Sequence, residues 1–534
     1  MKASPFLRFF LDSSISTAYI CLIFVSLFFR VWHLAYIPGL NGDEAWLGVQ
    51  ALNYLSGQEI AQFTPSGKTI SPFYFWPLVG LHKIFSPSFI LLRSFAVFSG
   101  VLAIVLTYLL SKRAFNRQTA FITTGLIAIL PSAIAHSRFA WEPSQSLLAC
   151  TLVMYFPLIA LKEPGQALFW ISSALLLLGA SFIIYPTNIF LAFFVSLPCL
   201  YLCFTYVQHT ARSKGLFHLC QVLIPFLLVA ALSYHLISGY VQRAPLPPQI
   251  QQPWFTIIQQ HLSSFESFSA SVTAYLRILS GLTLYRYISN QGMNSLIYER
   301  LGTAVFCIST LLHALALWKE RHFLRTFSFV LFALTLISYF LVAGPESLEP
   351  GIERFSLCLL APSVLFIGLA ASYLLDRSHK LTKIGLHFFY LGFAYLILFG
   401  FYLFYFSPLL ETGGRTHPTF ITGSDEPKKL AFEWIQNQSQ HQEVLVVSQQ
   451  YWTYWPLRYL AHGTSIRVEN TIENLQESLG KVGKKSVWSV EFTNSNEDHF
   501  IRNLFKERGF SVEEHIIPDR SGIPLISVLK GQRK

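Results

Sequence analysis

The chain has 534 residues, of which 53% are hydrophobic and only 13% are charged, against about 25% charged in soluble proteins. This composition excludes a soluble enzyme, a disordered chain and a fibrous protein, and it indicates a polytopic membrane protein. The net charge is +11, yet residues 408–534 hold 15 basic and 15 acidic side chains, so the whole excess lies in residues 1–407. Positive charge between apolar runs indicates membrane topology rather than nucleic-acid binding.

Apolar runs recur along residues 1–407, and a bilayer crossing needs about 20 such residues in a helix. We predict crossings at approximately 18–36, 89–111, 118–136, 145–161, 167–186, 188–206, 217–238, 301–318, 325–343, 355–375 and 384–407. The predicted fold class is therefore an α-helical polytopic membrane protein with about 11 transmembrane helices.

The segments between these runs alternate in charge. One set, which includes the N-terminus and the turn Lys112-Arg113, carries 14 basic residues, whereas the much longer opposite set carries only eight. The positive-inside rule assigns the first set to the cytoplasm. We therefore expect a cytoplasmic N-terminus, a first outer loop at 37–88, a long outer loop at 239–300 and an extracytoplasmic C-terminus.

Residues 408–534 form a second predicted domain. Short apolar runs at 443–448, 486–491 and 523–529 predict strands, and polar periodic stretches at 427–438, 472–480 and 497–508 predict helices. The alternation indicates a small α/β domain, for which we expect a structural or acceptor-docking role. All seven cysteines fall in apolar runs, so neither a disulfide framework nor a metal spacing follows.

Acidic residues are scarce in 1–407, where nine of the thirteen fall in predicted outer segments. A carboxylate at the hydrocarbon boundary is costly unless it is paired or lines a wet cavity. Three outer segments combine acids with basic or aromatic residues, and we predict that they converge on one cavity. They contain Asp43 and Glu44, then Arg138 and Glu142, then Glu353 and Arg354; the first loop continues through Lys68 to a short interfacial segment that includes Tyr74.

Each segment also has a structural interpretation. Asp43 and Glu44 are placed to cap an interfacial helix, because acids favour helix N-termini. Arg138 and Glu142 are four residues apart and could form an ion pair on a helix surface. The Arg354 side chain could extend to lipid headgroups. The combination of all three segments favours a functional interpretation.

At these residues the sequence resembles the C-type glycosyltransferase superfamily. More narrowly, it is similar to the bacterial membrane members related to protein O-mannosyltransferases and lipid A aminoarabinose transferases. The resemblance rests on Asp43-Glu44, the helix end at 51–57, Arg93, Ser137-Arg138 with Glu142, and Glu353-Arg354-Phe355. The family commonly has Lys-Pro-Pro in the first loop, whereas here Lys68 is separated from Ser71-Pro72, and the acid after the arginine is often Asp and is here Glu142.

The resemblance implies a polyprenyl-phosphate-linked sugar as donor, transfer on the outer face of a bacterial inner membrane, and no metal cofactor. The expected roles are Asp43 as general base with Glu44 orienting it or the acceptor. Arg138, Arg354 and Lys68 are expected to bind the donor phosphate, and Glu142, Glu353 and Tyr74 to contact substrate or hold the cations. Attack opposite the phosphate would invert the anomeric centre.

Two other interpretations stay open. A transporter or flippase would need polar residues near the membrane midplane and broken helices in paired halves. A non-enzymatic docking protein would leave the outer acid and base clusters unexplained. The sequence names neither the sugar nor the acceptor, which could be a protein, lipid A, a glycan or a wall polymer.

Overall fold

The computed structural model describes residues 5–209, 265–289, 296–320, 322–440, 442–470 and 486–533. Most of these described residues up to position 411 are helical. In chain order the α-helices are α1 (Pro5–Val31), α2 (Gly42–Leu55), α3 (Pro72–Ile84), α4 (Phe89–Ala114), α5 (Arg117–Ile129), α6 (Pro131–His136), α7 (Ser146–Lys162), α8 (Ala167–Ile184), α9 (Ala192–His209), α10 (Phe265–Ser280), α11 (Leu282–Ile288), α12 (Leu296–Glu320), α13 (Phe323–Ala343), α14 (Leu360–Arg377), α15 (Lys380–Phe401), α16 (Ser407–Glu411), α17 (Pro427–Gln438), α18 (Tyr451–Leu460) and α19 (Asn496–Glu507).

Within the described residues, seven helical segments are long and apolar enough to cross a membrane. They are Phe89–Ala114, Glu142–Lys162, Pro164–Ile184, Pro186–Thr205, Phe323–Ala343, Glu353–Arg377 and Leu381–Glu411, and two shorter apolar helices lie at Thr17–Val31 and Arg300–Ala316. The predicted helical membrane class is confirmed. The number of eleven crossings stays a prediction, and the crossing expected at 217–238 lies outside the described residues.

The crossing predicted at 118–136 consists of two helices rather than one. Helix α5 ends at Ile129 and α6 begins at Pro131, with Leu130 in an extended backbone conformation (φ −56°, ψ 122°). Proline lacks a backbone N–H and disfavours the helical conformation in the residue before it, which explains the break. The chain then turns at Ser137 and reaches Glu142 in a buried loop.

Charged residues separate to opposite ends of the apolar helices. Helices α4, α7 and α14 end in basic residues, namely Lys112 and Arg113, Lys162, and Arg377. At the other end, short 3₁₀ turns at Glu142–Gln145, Pro186–Leu191 and Glu353–Leu359 precede the next helices. The acidic segments and the basic turns therefore lie at opposite ends, as the loop charges predict.

Residues beyond α16 build a five-stranded mixed sheet. Its strands are β1 (Val444–Val447), β2 (Ile466–Glu469), β3 (Ser486–Phe492), β4 (Phe510–Pro518) and β5 (Pro524–Arg533), in the spatial order β2-β1-β3-β5-β4. β2, β1 and β3 are parallel, whereas β5 runs antiparallel to both β3 and β4. One face packs on α17 and α18 and the other on α19, so helices cover both faces of the sheet.

Sequence patterns located part of this sheet. The strands expected at 443–448, 486–491 and 523–529 and the helices at 427–438 and 497–508 correspond to β1, β3, β5, α17 and α19. Strands β2 and β4 and helix α18 were not predicted. Edge strand β4 is largely exposed and lacks a continuous apolar run, and α18 is rich in aromatic residues and contains Pro456, features that do not indicate a helix. The helix expected at 472–480 lies outside the described residues.

Glu491, on the central strand β3, predicts a pH dependence of this sheet. Burial raises the pKa of its carboxyl from 4.5 to about 8. The carboxyl also accepts hydrogen bonds from the backbone N–H groups of Gln449 and Gln450, which lower this pKa by a smaller amount. Between these pH values the folded state binds more protons than the unfolded state, so stability falls as the pH rises. We expect hydrogen exchange of β3, corrected for its intrinsic pH dependence, to accelerate from pH 5 to pH 8. Glu491→Gln should remove this dependence; an identical profile in the variant would contradict the prediction.

Candidate active site

A cavity of about 240 Å³ lies at the end of the helices that carries the acidic segments. Its lining consists of Asp43, Trp46, Leu47, Thr64, Pro65, Ser66, Lys68, Trp141, Glu142, Pro143, Tyr185, Pro186, Arg354 and Phe355. Four of the eight predicted site residues line it: Asp43, Lys68, Glu142 and Arg354. All three predicted outer segments therefore contribute to one cavity.

Asp43 is the second residue of α2 and is half-buried. Burial raises the pKa of its carboxyl above the ordinary value, whereas a hydrogen bond from Tyr451 and the charge of Arg354 act in the opposite direction. The Tyr451 hydroxyl donates to Asp43 Oδ1 at 2.7 Å. A carboxylate with raised proton affinity in a cavity is suited to accept a proton.

Lys68 and Glu142 form an ion pair at the cavity wall. The Lys68 Nζ–Glu142 Oε2 distance is 2.5 Å, and Lys68 also donates to the carbonyl of Ile184 at 2.6 Å. The other oxygen of Glu142 accepts the backbone N–H of Ser71. The pair joins the loop after α2 to the turn before α7, and it neutralises part of the Lys68 charge.

Arg354 supplies the second cation. Its guanidinium carbon lies 5.6 Å from the ring centres of both Trp141 and Phe355, and its Nη1 donates to the carbonyl of Gly351 at 3.3 Å. No carboxylate whose side chain the structure describes lies within ion-pair distance of this guanidinium. The aromatic contacts hold its plane beside the cavity and leave its charge available to an anionic ligand.

Glu44 lies outside the cavity lining although it follows Asp43 directly. It is fully buried and forms a two-pronged ion pair with Arg93, with distances of 2.8 Å from Nε to Oε2 and 2.7 Å from Nη2 to Oε1. It also accepts the backbone N–H of Ala140 and, in a capping box, that of Asn41. The capping interpretation therefore applies to Glu44, whose contacts fix the first turn of α2 and hence Asp43.

Arg138, Glu353 and Tyr74 are likewise buried away from the cavity. Arg138 donates to the carbonyls of Phe29, Trp32 and Ile37 and is not paired with Glu142. Glu353 accepts the N–H of Gly351 at 2.6 Å, and its other oxygen is 3.9 Å from His136 Nε2. The Tyr74 hydroxyl donates to the carbonyl of Leu92. Arg138 and Glu353 thus hold backbone near the cavity residues, whereas Tyr74 links α3 to α4.

Some residues of the site were not predicted. Tyr451 comes from α18 and lies 408 positions from Asp43 along the chain, and no local pattern indicates such a contact. Trp141 and Tyr185 line the cavity as well. Trp141 directly precedes the predicted site residue Glu142, and Tyr185 lies at the end of the crossing predicted at 167–186; these positions were the only indication of them in the sequence. Arg93 was noted as a family motif, and only the structure reveals Glu44 as its partner.

The lining favours an anionic ligand with polar substituents. Lys68 and Arg354 can donate charge-assisted hydrogen bonds to a phosphate, and the neighbouring Thr64, Ser66, Trp141 and Tyr185 offer hydroxyls and aromatic surface. In the described part of the chain no group of three or more His, Cys, Asp or Glu side chains is placed to hold a metal ion.

One carboxylate and two cations thus line a cavity at the ends of apolar helices, and a separate α/β domain follows these helices in the chain. The family model described as dolichyl-phosphate-mannose-protein mannosyltransferase matches residues 69–235. The fold is that of ArnT from Cupriavidus metallidurans in the apo state, with a TM-score of 0.56 and 13% identity over 97% of this chain and 98% of that chain. The chain thus has the fold of ArnT, and residues 69–235 match the mannosyltransferase family model, both in agreement with the resemblance drawn from its motifs.

Two further solved structures are similar. ArnT from the same organism bound to undecaprenyl phosphate has a TM-score of 0.52 and 13% identity over 96% of this chain and 97% of that chain. The archaeal oligosaccharyltransferase AglB from Archaeoglobus fulgidus, in complex with an inhibitory peptide and a dolichol-phosphate, has a TM-score of 0.47 and 15% identity over 91% of this chain and 70% of that chain. No curated protein matches the chain in a sequence search.

The buried Arg93–Glu44 pair predicts a large stability effect. Arg93→Met leaves the Glu44 carboxylate buried without its counterion, which should cost about 3–5 kcal/mol of stability. We expect a lower midpoint of thermal unfolding in detergent.

The control is Arg113→Met. Arg113 pairs with Glu163 in nearly the same two-pronged geometry, but 43% of the Arg113 side chain is exposed, so little or no change is expected. Equal effects of the two substitutions would contradict the assignment.

Proposed function

We propose that the chain is a membrane glycosyltransferase that moves a sugar from a polyprenyl-phosphate donor to an acceptor hydroxyl or amine at the outer face of the membrane. The observation that carries this proposal is the convergence of Asp43, Lys68 and Arg354 on one cavity. One carboxylate and two cations are the groups that such a transfer requires. The bound undecaprenyl phosphate named for ArnT supports a lipid-phosphate donor.

Asp43 acts as the general base. The acceptor O–H or N–H gives its proton to the Asp43 carboxylate while the acceptor atom bonds to the anomeric carbon of the donor sugar. The bond from that carbon to the phosphate oxygen breaks, and its electron pair leaves with the phosphate. Attack from the side opposite the phosphate inverts the anomeric centre.

Arg354 and Lys68 stabilise the departing phosphate, which gains one negative charge as the bond breaks. Arg354 contributes more because Lys68 already faces Glu142 at 2.5 Å. Glu142 keeps Lys68 at the cavity wall, so its role is to position this cation. Two cations suffice for a monophosphate leaving group, and we propose a reaction without a metal cofactor.

Three of the remaining four predicted site residues hold backbone near the cavity residues. Glu44 holds the turn that presents Asp43, Arg138 holds the backbone that precedes this turn, and Glu353 holds the turn that presents Arg354. Tyr74 links α3 to α4 through the carbonyl of Leu92. We assign none of these four to direct substrate contact.

The placement of the cavity favours transfer over transport. A transporter site lies near the membrane midplane between broken helices, whereas this cavity lies where helices end, opposite the basic turns. The positive-inside rule assigns the basic end to the cytoplasm. We therefore propose an inner-membrane protein with a cytoplasmic N-terminus whose cavity and sheet domain face outward.

Asp43→Asn tests the general base. The amide cannot accept the proton, so we expect transfer to fall by roughly 10²- to 10⁴-fold. The measurement is mass spectrometry of glycans and lipids from a deletion strain that expresses each variant at equal level. Asp376→Asn, which alters an acid paired with Arg325 beside the basic C-terminal end of α14, is the control and should retain transfer. Wild-type transfer by Asp43→Asn would remove Asp43 from the mechanism.

Arg354→Met and Lys68→Met test the order of the two cations. Loss of a group that stabilises the leaving phosphate typically lowers turnover by about 10²- to 10³-fold, and we expect this loss for Arg354→Met. Lys68→Met should cause a smaller loss, because part of its charge is already neutralised by Glu142. Initial rates of sugar transfer in membranes measure both, and a larger defect in Lys68→Met would reverse the assignment.

A further inference from the structure

The C-terminal domain reaches into the cavity region through one end of α18. The Tyr451 hydroxyl lies 2.7 Å from Asp43 Oδ1. Burial and the facing carboxylate of Asp43 raise the pKa of the Tyr451 hydroxyl, so it remains protonated and is the donor in this hydrogen bond. The carboxylate that we assign as base is therefore held from a domain that is distant in sequence.

Two glycines of α2 allow this contact because they leave space for aromatic rings. A Cβ atom on Gly42 would lie 2.6 Å from the Tyr451 ring, and one on Gly48 would lie 2.7 Å from the Tyr459 ring. Helix α18 therefore lies directly on the backbone of α2. The Trp46 and Trp455 rings meet edge to face between these two points, with 6.4 Å between their centres.

The other end of α18 is anchored to α3 and to the residue that precedes α4. The Tyr459 hydroxyl is 2.8 Å from His82 Nε2 and accepts the backbone N–H of Ser88 at 3.0 Å. Tyr459 is eight residues from Tyr451, which corresponds to about 12 Å along a helix. Contacts at both ends fix the position of α18, so the Tyr451 hydroxyl has little freedom relative to Asp43.

We propose that Tyr451 is a positioning residue for the proposed base, and that the C-terminal domain is by this contact a part of the active site. The proposal rests on the general-base role of Asp43. By occupying Oδ1, the Tyr451 hydroxyl fixes the rotation of the carboxylate and leaves Oδ2 for the acceptor proton. It also favours the ionised carboxylate, because a hydrogen bond to the charged form stabilises that form.

Several charged or titratable groups lie around Asp43. Tyr451 of α18 and Arg354 before α14 lower the pKa of its carboxyl, and Glu44 of α2 raises it. Tyr287 of α11 interacts electrostatically with Asp43, and Lys68 and Glu142 line the same cavity. Of these, Tyr451 donates a hydrogen bond directly to the Asp43 carboxylate. Its removal should therefore act on Asp43 with little effect on the Lys68–Glu142 pair.

Tyr451→Phe tests the contact in the full-length protein in lipid nanodiscs. The readout is an infrared titration of the carboxyl band that disappears in Asp43→Asn, which requires no substrate. We expect the titration midpoint in Tyr451→Phe to rise by about one pH unit. The apparent pKa on the acid side of the pH–rate profile should rise by the same amount, because the base must be ionised to accept the proton.

Tyr454→Phe is the matched control. Tyr454 lies on the same helix, but its hydroxyl accepts a hydrogen bond from Arg458 Nη1 at 2.7 Å and does not contact Asp43. This variant should leave the midpoint and the acid limb unchanged. If Tyr451→Phe does not fold, Gly42→Ala displaces the Tyr451 ring from the other side and should raise the midpoint similarly.

An unchanged midpoint in Tyr451→Phe, or an equal rise in Tyr454→Phe, would overturn the role of Tyr451. If the midpoint rises but Asp43→Asn still transfers sugar at the wild-type rate, the general-base function is overturned, and the catalytic part of this proposal with it. If transfer is lost in Asp43→Asn while Tyr451→Phe leaves the midpoint unchanged, only the positioning role of Tyr451 is overturned.

Discussion

The buried ion pair between Arg93 and Glu44 is the interaction on which the site depends. Arg93 belongs to an apolar helix, and its guanidinium also donates to the carbonyls of Leu34 and Pro38 in the segment after α1. Glu44 accepts from Asn41 and Ala140 as well as from Arg93. Two side chains thus join α2, α4, the segment after α1 and the loop before Glu142. These two charges are tolerated in a fully buried position because the polar atoms of both side chains have hydrogen-bond partners.

Around this pair the cavity residues come from three places among the helices. Helix α2 contributes the carboxylate of Asp43, the turns before the apolar helices contribute Arg354 and Glu142, and the loop after α2 contributes Lys68. The sheet domain adds the hydroxyl of Tyr451. Buried residues of the same segments, such as Arg138 and Glu353, bond to backbone atoms. For Asp43, Glu142 and Arg354, a charged neighbour in the same segment bonds to nearby backbone, which is how a preorganised site is held in place.

The sequence predicted the side of the molecule on which the site lies better than it predicted which residues face the cavity. Charge asymmetry placed the acids at one end of the helices, and composition gave the helical class. Local spacing does not determine which of two adjacent acids faces inward: Asp43 lines the cavity while Glu44, the next residue, is fully buried. Arg138 and Arg354 were both predicted to bind phosphate. In the structure Arg138 donates to backbone carbonyls and Arg354 lines the cavity, a difference that depends on tertiary packing and not on local sequence. The Tyr451 contact depends on packing between domains, which no pattern within either domain encodes.

The contact between Asp43 and Tyr451 spans 408 positions of the chain, and this has a consequence for biosynthesis. The ribosome adds the Asp43 carboxylate 408 residues before the Tyr451 phenol. In the proposed topology the sheet domain must also be exported and folded before the two groups meet. A nascent chain that stops short of Tyr451 therefore already contains most of the apolar helices, while the hydrogen bond that holds the Asp43 carboxylate is still missing.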